Sequence, residues 1–162
     1  MRLIIKLPMP RRRAFTLIEL LVTVGILTLL AAFIVPVFEL MLSQLQLATA
    51  TNDVAELMRQ TNQKTVTEQV IYGVTFTSGA STIPQFLYNT SNGTKTIQST
   101  YTLPSNICID TVSFSSNTDI RFSTSGAPNA SGYVVLVDTV RNRRREIDLR
   151  PSGSVFANQS EY

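Results

Sequence analysis

Arg11-Arg12-Arg13-Ala14-Phe15-Thr16-Leu17-Ile18-Glu19-Leu20-Leu21-Val22 sets three cations, a small residue, an aromatic and one carboxylate at the mouth of a long apolar run. From Leu20 to Phe38 no residue is charged. At 1.5 Å per residue this run makes roughly 28 Å of helix, the thickness of a bilayer's hydrocarbon core and more than the apolar part of a secretory signal. It therefore reads as a membrane-spanning helix over residues 15–38. The preceding arginines, with Arg2 and Lys6, predict a cytoplasmic N-terminus and an outside location for everything after Phe38.

Glu19 is costly for a plain anchor, because a carboxylate in a membrane segment usually marks function. It also lies close enough to the helix start to reach the headgroups, where the helix dipole favours an anion. Geometry leaves both readings open.

The run Ala14-Phe15-Thr16-Leu17-Ile18-Glu19-Leu20-Leu21-Val22 resembles the N-terminal processing motif of type IV pilins and type II secretion pseudopilins. The resemblance implies that a prepilin peptidase cuts between Ala14 and Phe15 and that the new amine is methylated. It further implies that Glu19 guides assembly with other pilins into a filament. Ala14 stands where the family usually has Gly. Pro36, twenty-one residues beyond Phe15, matches the position at which pilin helices commonly carry a kinking proline. On this resemblance the chain is stored in the inner membrane and then drawn into a pilus or pseudopilus. Residues 1–14 become a leader peptide, and Met9-Pro10-Arg11-Arg12-Arg13-Ala14 would by itself make a short basic one.

Composition narrows the function classes. A chain of 162 residues holds one membrane helix and one modest domain. Its formal charge of +3 belongs to the leader, since loss of residues 1–14 leaves nine basic against eleven acidic side chains. A polyanion is not the partner that such a mature chain predicts. One cysteine, Cys108, excludes an intrachain disulfide and is expected as a small core residue between Ile107 and Ile109. The chain has no histidine, and neither a metal cluster, a phosphate loop nor a nucleophile elbow is apparent. The expectation is a non-enzymatic protein with no cofactor and no metal.

Beyond the membrane run, residues 39–66 lack Pro and Gly and place Leu40, Leu47, Ala50, Val54, Leu57 and Met58 near one helical face. Gln44, Gln46, Thr49, Asn52, Asp53, Glu56 and Arg59 fall on the other. The same helix is predicted to continue, now amphipathic, for a total of roughly 75 Å. Residues 67–162 turn to short alternating runs of Thr, Ser, Val, Ile, Phe and Tyr between Gly, Pro and Asn. Strands are predicted near 70–77, 84–88, 95–102, 107–114, 119–124, 132–140, 145–150 and 154–156. The fold class is α+β, a long N-terminal helix packed on an antiparallel β-sheet domain. The C-terminal stretches 120–126, 132–137 and 146–155 resemble the GspH/FimT branch of minor pilins and pseudopilins.

The most visible polar feature of the domain is Asp138-Thr139-Val140-Arg141-Asn142-Arg143-Arg144-Arg145-Glu146. Such a run is usually a solvated hairpin turn, with Arg144 and Arg150 placed to pair with Glu146 and Asp148 on one strand face. Some FimT-like relatives bind DNA through arginines near the chain end in a Gly-Arg-x-Arg pattern. Here Ser154 follows Gly153, and the pattern is absent. Arg141, Arg143, Arg144 and Arg145 are the candidate DNA contacts of an alternative reading, a DNA-binding minor pilin for natural transformation. A third reading is an anchored outer domain that never polymerises.

Overall fold

The computed structural model describes residues 15–115 and 118–158. One helix, α1 (Leu17–Glu68), precedes eight strands: β1 (Tyr72–Thr75), β2 (Thr82–Tyr88), β3 (Lys95–Thr102), β4 (Ile107–Phe114), β5 (Asp119–Arg121), β6 (Gly132–Asp138), β7 (Arg143–Leu149) and β8 (Val155–Ala157). The chain forms two units, residues 1–40 and 41–162, and the expected α+β class holds.

In the first unit, the apolar side chains from Phe15 to Phe38 stand exposed, Phe33 and Ile34 by 70% and 63%. Two of its hydroxyls are satisfied within the helix. Thr23 Oγ1 donates to the Leu20 carbonyl (2.8 Å) and Thr28 Oγ1 to that of Gly25 (2.9 Å). A helix that returns these hydroxyls to its own carbonyls and presents hydrocarbon outward suits a solvent of lipid.

In the second unit, Leu47, Ala50, Val54, Ala55 and Met58 bury one face of α1. The three-and-four spacing predicts that face. Each fully buried aliphatic side chain there is worth about 1.5–3 kcal/mol. The pattern also hid part of the face. Thr51, Thr61 and Thr65 are fully buried because their hydroxyls return to the carbonyls of Leu47, Leu57 and Thr61 at 2.7–2.9 Å. Leu57 is only partly buried and Leu40 is exposed. The helix runs four residues beyond Lys64 and stops where Gln69 takes a left-handed conformation (φ 56°).

The strands divide into two four-stranded antiparallel sheets, ordered β3-β2-β1-β5 and β4-β6-β7-β8. Val74, Ile83 and Ile120 from the first sheet share one core with Ile107, Ile109, Val134, Leu136, Ile147 and Leu149 from the second, and with α1. Strand β2 begins at Thr82, ahead of the prolyl start expected at 84. Its ladder with β1 covers only Gln85–Leu87, so Pro84 lies past that pairing and beside a bulge at Gln85/Phe86. The strand expected over 119–124 ends at Arg121, and Phe122 makes a single bridge to Pro128. Cys108 is not a core residue. Ile107 and Ile109 point inward, so the pleat turns the intervening thiol to the outer face, where it is half-buried.

Candidate functional site

The sequence singles out two places: the head of α1 and the arginine hairpin. Ala14 and the leader Met1–Ala14 lie outside the described residues, whereas Phe15, 69% exposed, opens the structure. Thr16 Oγ1 accepts a hydrogen bond from the Glu19 amide (3.3 Å), and the Thr16 carbonyl accepts one from the Leu20 amide (3.2 Å). Thr16 is therefore the helix N-cap and Glu19 the third helical residue, the Thr-x-x-Glu arrangement of a capping box. Sequence reasoning missed the cap, although the spacing was in view. The consequence is a Phe15 backbone and a Glu19 carboxylate both held at the positive end of the helix dipole. Further along, α1 continues through Pro36.

The arginine hairpin is organised from below by an acid. Asp138 is fully buried at the end of β6. Its carboxylate accepts from the Ser43 hydroxyl of α1 and from the Val140 amide (3.0 Å), and its carbonyl accepts from the Asn142 amide (2.8 Å). Asn142 closes the turn in a left-handed conformation (φ 53°). Burial pushes the Asp138 carboxyl up, but the Ser43 hydroxyl, the amides of Val140 and Arg141 and the Arg141 guanidinium together hold it below the ordinary carboxylate value. The sequence offered Asp138 as part of a solvated run. Its partner lies 95 residues away and no local pattern reveals it.

The turn is shorter than expected, because Arg143, Arg144 and Arg145 are the first residues of β7. Their pleat sends them different ways. The Gln44 amide of α1 presents its oxygen to the Arg143 guanidinium, 3.1 Å from Nη2. Arg144 pairs with Asp110 of β4 at 3.4 Å rather than with Glu146, while Arg150 pairs with Asp148 at 3.9 Å as the spacing predicts. Arg144 and Arg145 line a cleft of about 210 Å³ together with Asp110 and Glu146. Of the four candidate DNA contacts, Arg143 meets Gln44 of α1 while Arg144 and Arg145 line the cleft. Two of them face carboxylates that would repel a phosphate.

A carboxyl held low stabilises the fold above its unfolded-state value and loses that contribution as pH falls through the lowered value. Stability of the domain is therefore expected to drop on acidification below about pH 4. Asp138→Asn should flatten that drop and cost about 1.5–3 kcal/mol at neutral pH, both measurable by chemical denaturation at neutral and acid pH. A residual slope remains from Asp119. Burial raises that carboxyl too, and Lys95, Thr75 and Arg121 outweigh the effect.

Residues 9–35 match the model of the prokaryotic N-terminal methylation motif. A search among curated protein sequences gave no significant match. Among solved structures, the fold resembles the minor pseudopilin EpsH from the type 2 secretion system of Vibrio cholerae, with a TM-score of 0.58 at 8% identity, covering 70% of this chain and 96% of that one. It resembles the type IV minor pilin FimU of Pseudomonas aeruginosa with a TM-score of 0.54 at 10% identity, covering 72% and 95%. The chain thus carries a prokaryotic N-terminal methylation motif at residues 9–35 and shares the fold of these two minor subunits.

Proposed function

We propose that the chain is a minor pilin or pseudopilin, a structural subunit of a type IV pilus or a type II secretion pseudopilus with no catalytic role. The observation that carries this reading is the methylation motif at residues 9–35, set on a helix whose apolar side chains from Phe15 to Phe38 are exposed. Such a helix has to be covered, first by lipid and then by the corresponding helices of neighbouring subunits.

In this reading the precursor sits in the inner membrane with its arginines in the cytoplasm and its β-rich domain outside. Prepilin peptidase cuts between Ala14 and Phe15, and the new amine is methylated. Glu19 then supplies the counter-charge for the Phe15 amine of an adjacent subunit within the low dielectric of the filament core. Pro36 removes one helical N–H and loosens the turn before it, giving the helix a place to adjust on leaving the membrane.

Co-expression with active or inactive prepilin peptidase tests the first step. The intact mass is expected to correspond to a chain beginning at methylated Phe15 with the active enzyme only. An identical mass in both cells would remove the processing step and leave a plain membrane anchor.

A further inference from the structure

The turn between β2 and β3 carries the one Asn-Gly step of the sequence, Asn92-Gly93. Residues 89–95 are all exposed. The Asn89 amide closes the turn on the Thr94 carbonyl (3.0 Å), and the Gly93 amide donates to the Asn89 carbonyl (2.9 Å). Inside it the Asn92 carboxamide is turned forward along the chain, because its Oδ1 accepts from both the Thr94 amide (3.1 Å) and the Thr94 hydroxyl (2.7 Å). Gly93 sits in the left-handed region (φ +68°) and has no Cβ to obstruct an approach to its own nitrogen.

These contacts assemble the parts of an intramolecular acyl transfer. The carbon under attack is Cγ of Asn92, and the nucleophile is the backbone nitrogen of Gly93, the next residue, so ring closure needs no second molecule. Negative charge develops on Oδ1 as Cγ becomes tetrahedral, and two donors from Thr94 already point at that oxygen. The Gly93 hydrogen bond to Asn89 has to open first. It lies at the exposed tip of a hairpin, where local opening costs little.

We propose that Asn92 is a site of spontaneous deamidation promoted by Thr94. The Gly93 nitrogen bonds to Cγ and gives up its proton, the Cγ–Nδ2 bond breaks, and ammonia leaves with that proton. The product is a succinimide ring. Water then opens it: cleavage of the new bond to Cγ gives aspartate, and cleavage at the main-chain carbonyl gives isoaspartate. One water is consumed, one ammonia is released, and nothing is oxidised or reduced. Aspartate adds a negative charge to the turn. Isoaspartate adds a carbon to the main chain, disturbs the closure between Asn89 and Thr94, and loosens the start of β3, an edge strand of its sheet. The modified fraction grows with the age of the chain.

The test incubates the full chain in detergent micelles at neutral pH for weeks and maps its peptides by mass spectrometry, with fragmentation that distinguishes isoaspartate from aspartate. Conversion is expected at Asn92, with both products present. Asn129 should stay intact, since its Oδ1 accepts from the Arg121 amide (2.7 Å) and its Nδ2 donates to the Asp119 carbonyl (3.2 Å). Thr94→Val should slow conversion by up to about tenfold, the worth of one hydrogen bond to the developing charge. Thr94→Ser should keep the native rate. In concentrated urea the native chain and Thr94→Val should convert equally, because the turn that aims the hydroxyl is gone. Three results would overturn the proposal: Asn92 converting in urea but not in the folded chain, folded-state conversion indifferent to Thr94→Val, or a Thr94→Val effect that persists unchanged in urea and so belongs to the local sequence rather than to the fold.

Discussion

Glu19→Val is expected to enter the membrane and to be processed like the native chain, and yet to be recovered from filaments on the order of a hundredfold less. Removing one partner of a buried ion pair costs about 3–5 kcal/mol, because the other charge is left without compensation in a low dielectric. Tenfold corresponds to about 1.4 kcal/mol, so the loss reaches two decades or more. The capping box introduces a competing cause, since valine at the third helical position also abolishes any capping by the side chain. Glu19→Gln separates the two. Glutamine serves a capping box as well as glutamate does but carries no charge, so it should fail in assembly nearly as badly as valine. Thr16→Ala is the reciprocal control, losing the cap at about 1 kcal/mol while leaving the carboxylate in place. Native incorporation of Glu19→Gln, measured by quantitative immunoblot of sheared filaments, would reduce Glu19 to a helix-starting residue.

Gly153→Ala should be strongly damaging to the domain. Gly153 has φ +82°, and an added Cβ would lie 2.2 Å from the Gly126 carbonyl oxygen and 2.9 Å from Nδ2 of Asn62 on α1. Two turns and the helix therefore meet at a point with no room for a methyl group. Left-handed strain contributes about 1–2 kcal/mol, and the forced displacement of backbone about 1–3 kcal/mol more. Together these should lower the midpoint of thermal unfolding of the domain from Met41 to Tyr162 by about 10 °C or more. Gly79→Ala is the comparison, because its φ of +80° is equivalent but nothing lies within 4 Å of the added carbon. It should show only the backbone strain. Equal losses in both variants would mean that the close approach of the Gly126 and Gly153 turns contributes nothing.

These residues also show how far the amino-acid order could be read. Elements with a sustained period were legible. The uncharged run gave the exposed half of α1, the stripe Leu47, Ala50, Val54 and Met58 gave its buried half, and alternation with Gly and Asn turns gave eight strands. The N-terminal methylation motif was equally plain, because it is contiguous. What stayed hidden depends on partners distant in sequence. Thr51, Thr61 and Thr65 looked polar and are buried, their hydroxyls satisfied by the helix itself. Gln85 is also buried, and it donates to Thr61 across the interface of β2 and α1 (2.8 Å). Asp138 looked like surface because Ser43 lies far away in the chain. Arg143 and Arg144 looked like part of one solvated turn, and only the fold shows that Arg143 meets Gln44 of α1 while Arg144 pairs with Asp110 of β4. Cys108 was misplaced for a simpler reason: between two inward-facing isoleucines, a strand residue must face out.

The division of the strands into two sheets is likewise a long-range property. Sequential hairpins would predict one meander, but β5 returns to the far edge of β1, and β4 pairs with β6 across that excursion. The resulting core joins residues 47–58 of α1 with residues of both sheets.

The most direct test of the central claim is the N-terminus of this chain within filaments. Filaments sheared from cells expressing it with a pilus or pseudopilus machine are expected to contain the chain, and its intact mass should begin at Phe15 with a methylated amine. A chain confined to the membrane fraction, or one present in filaments while still carrying Arg11-Arg12-Arg13, would contradict the account.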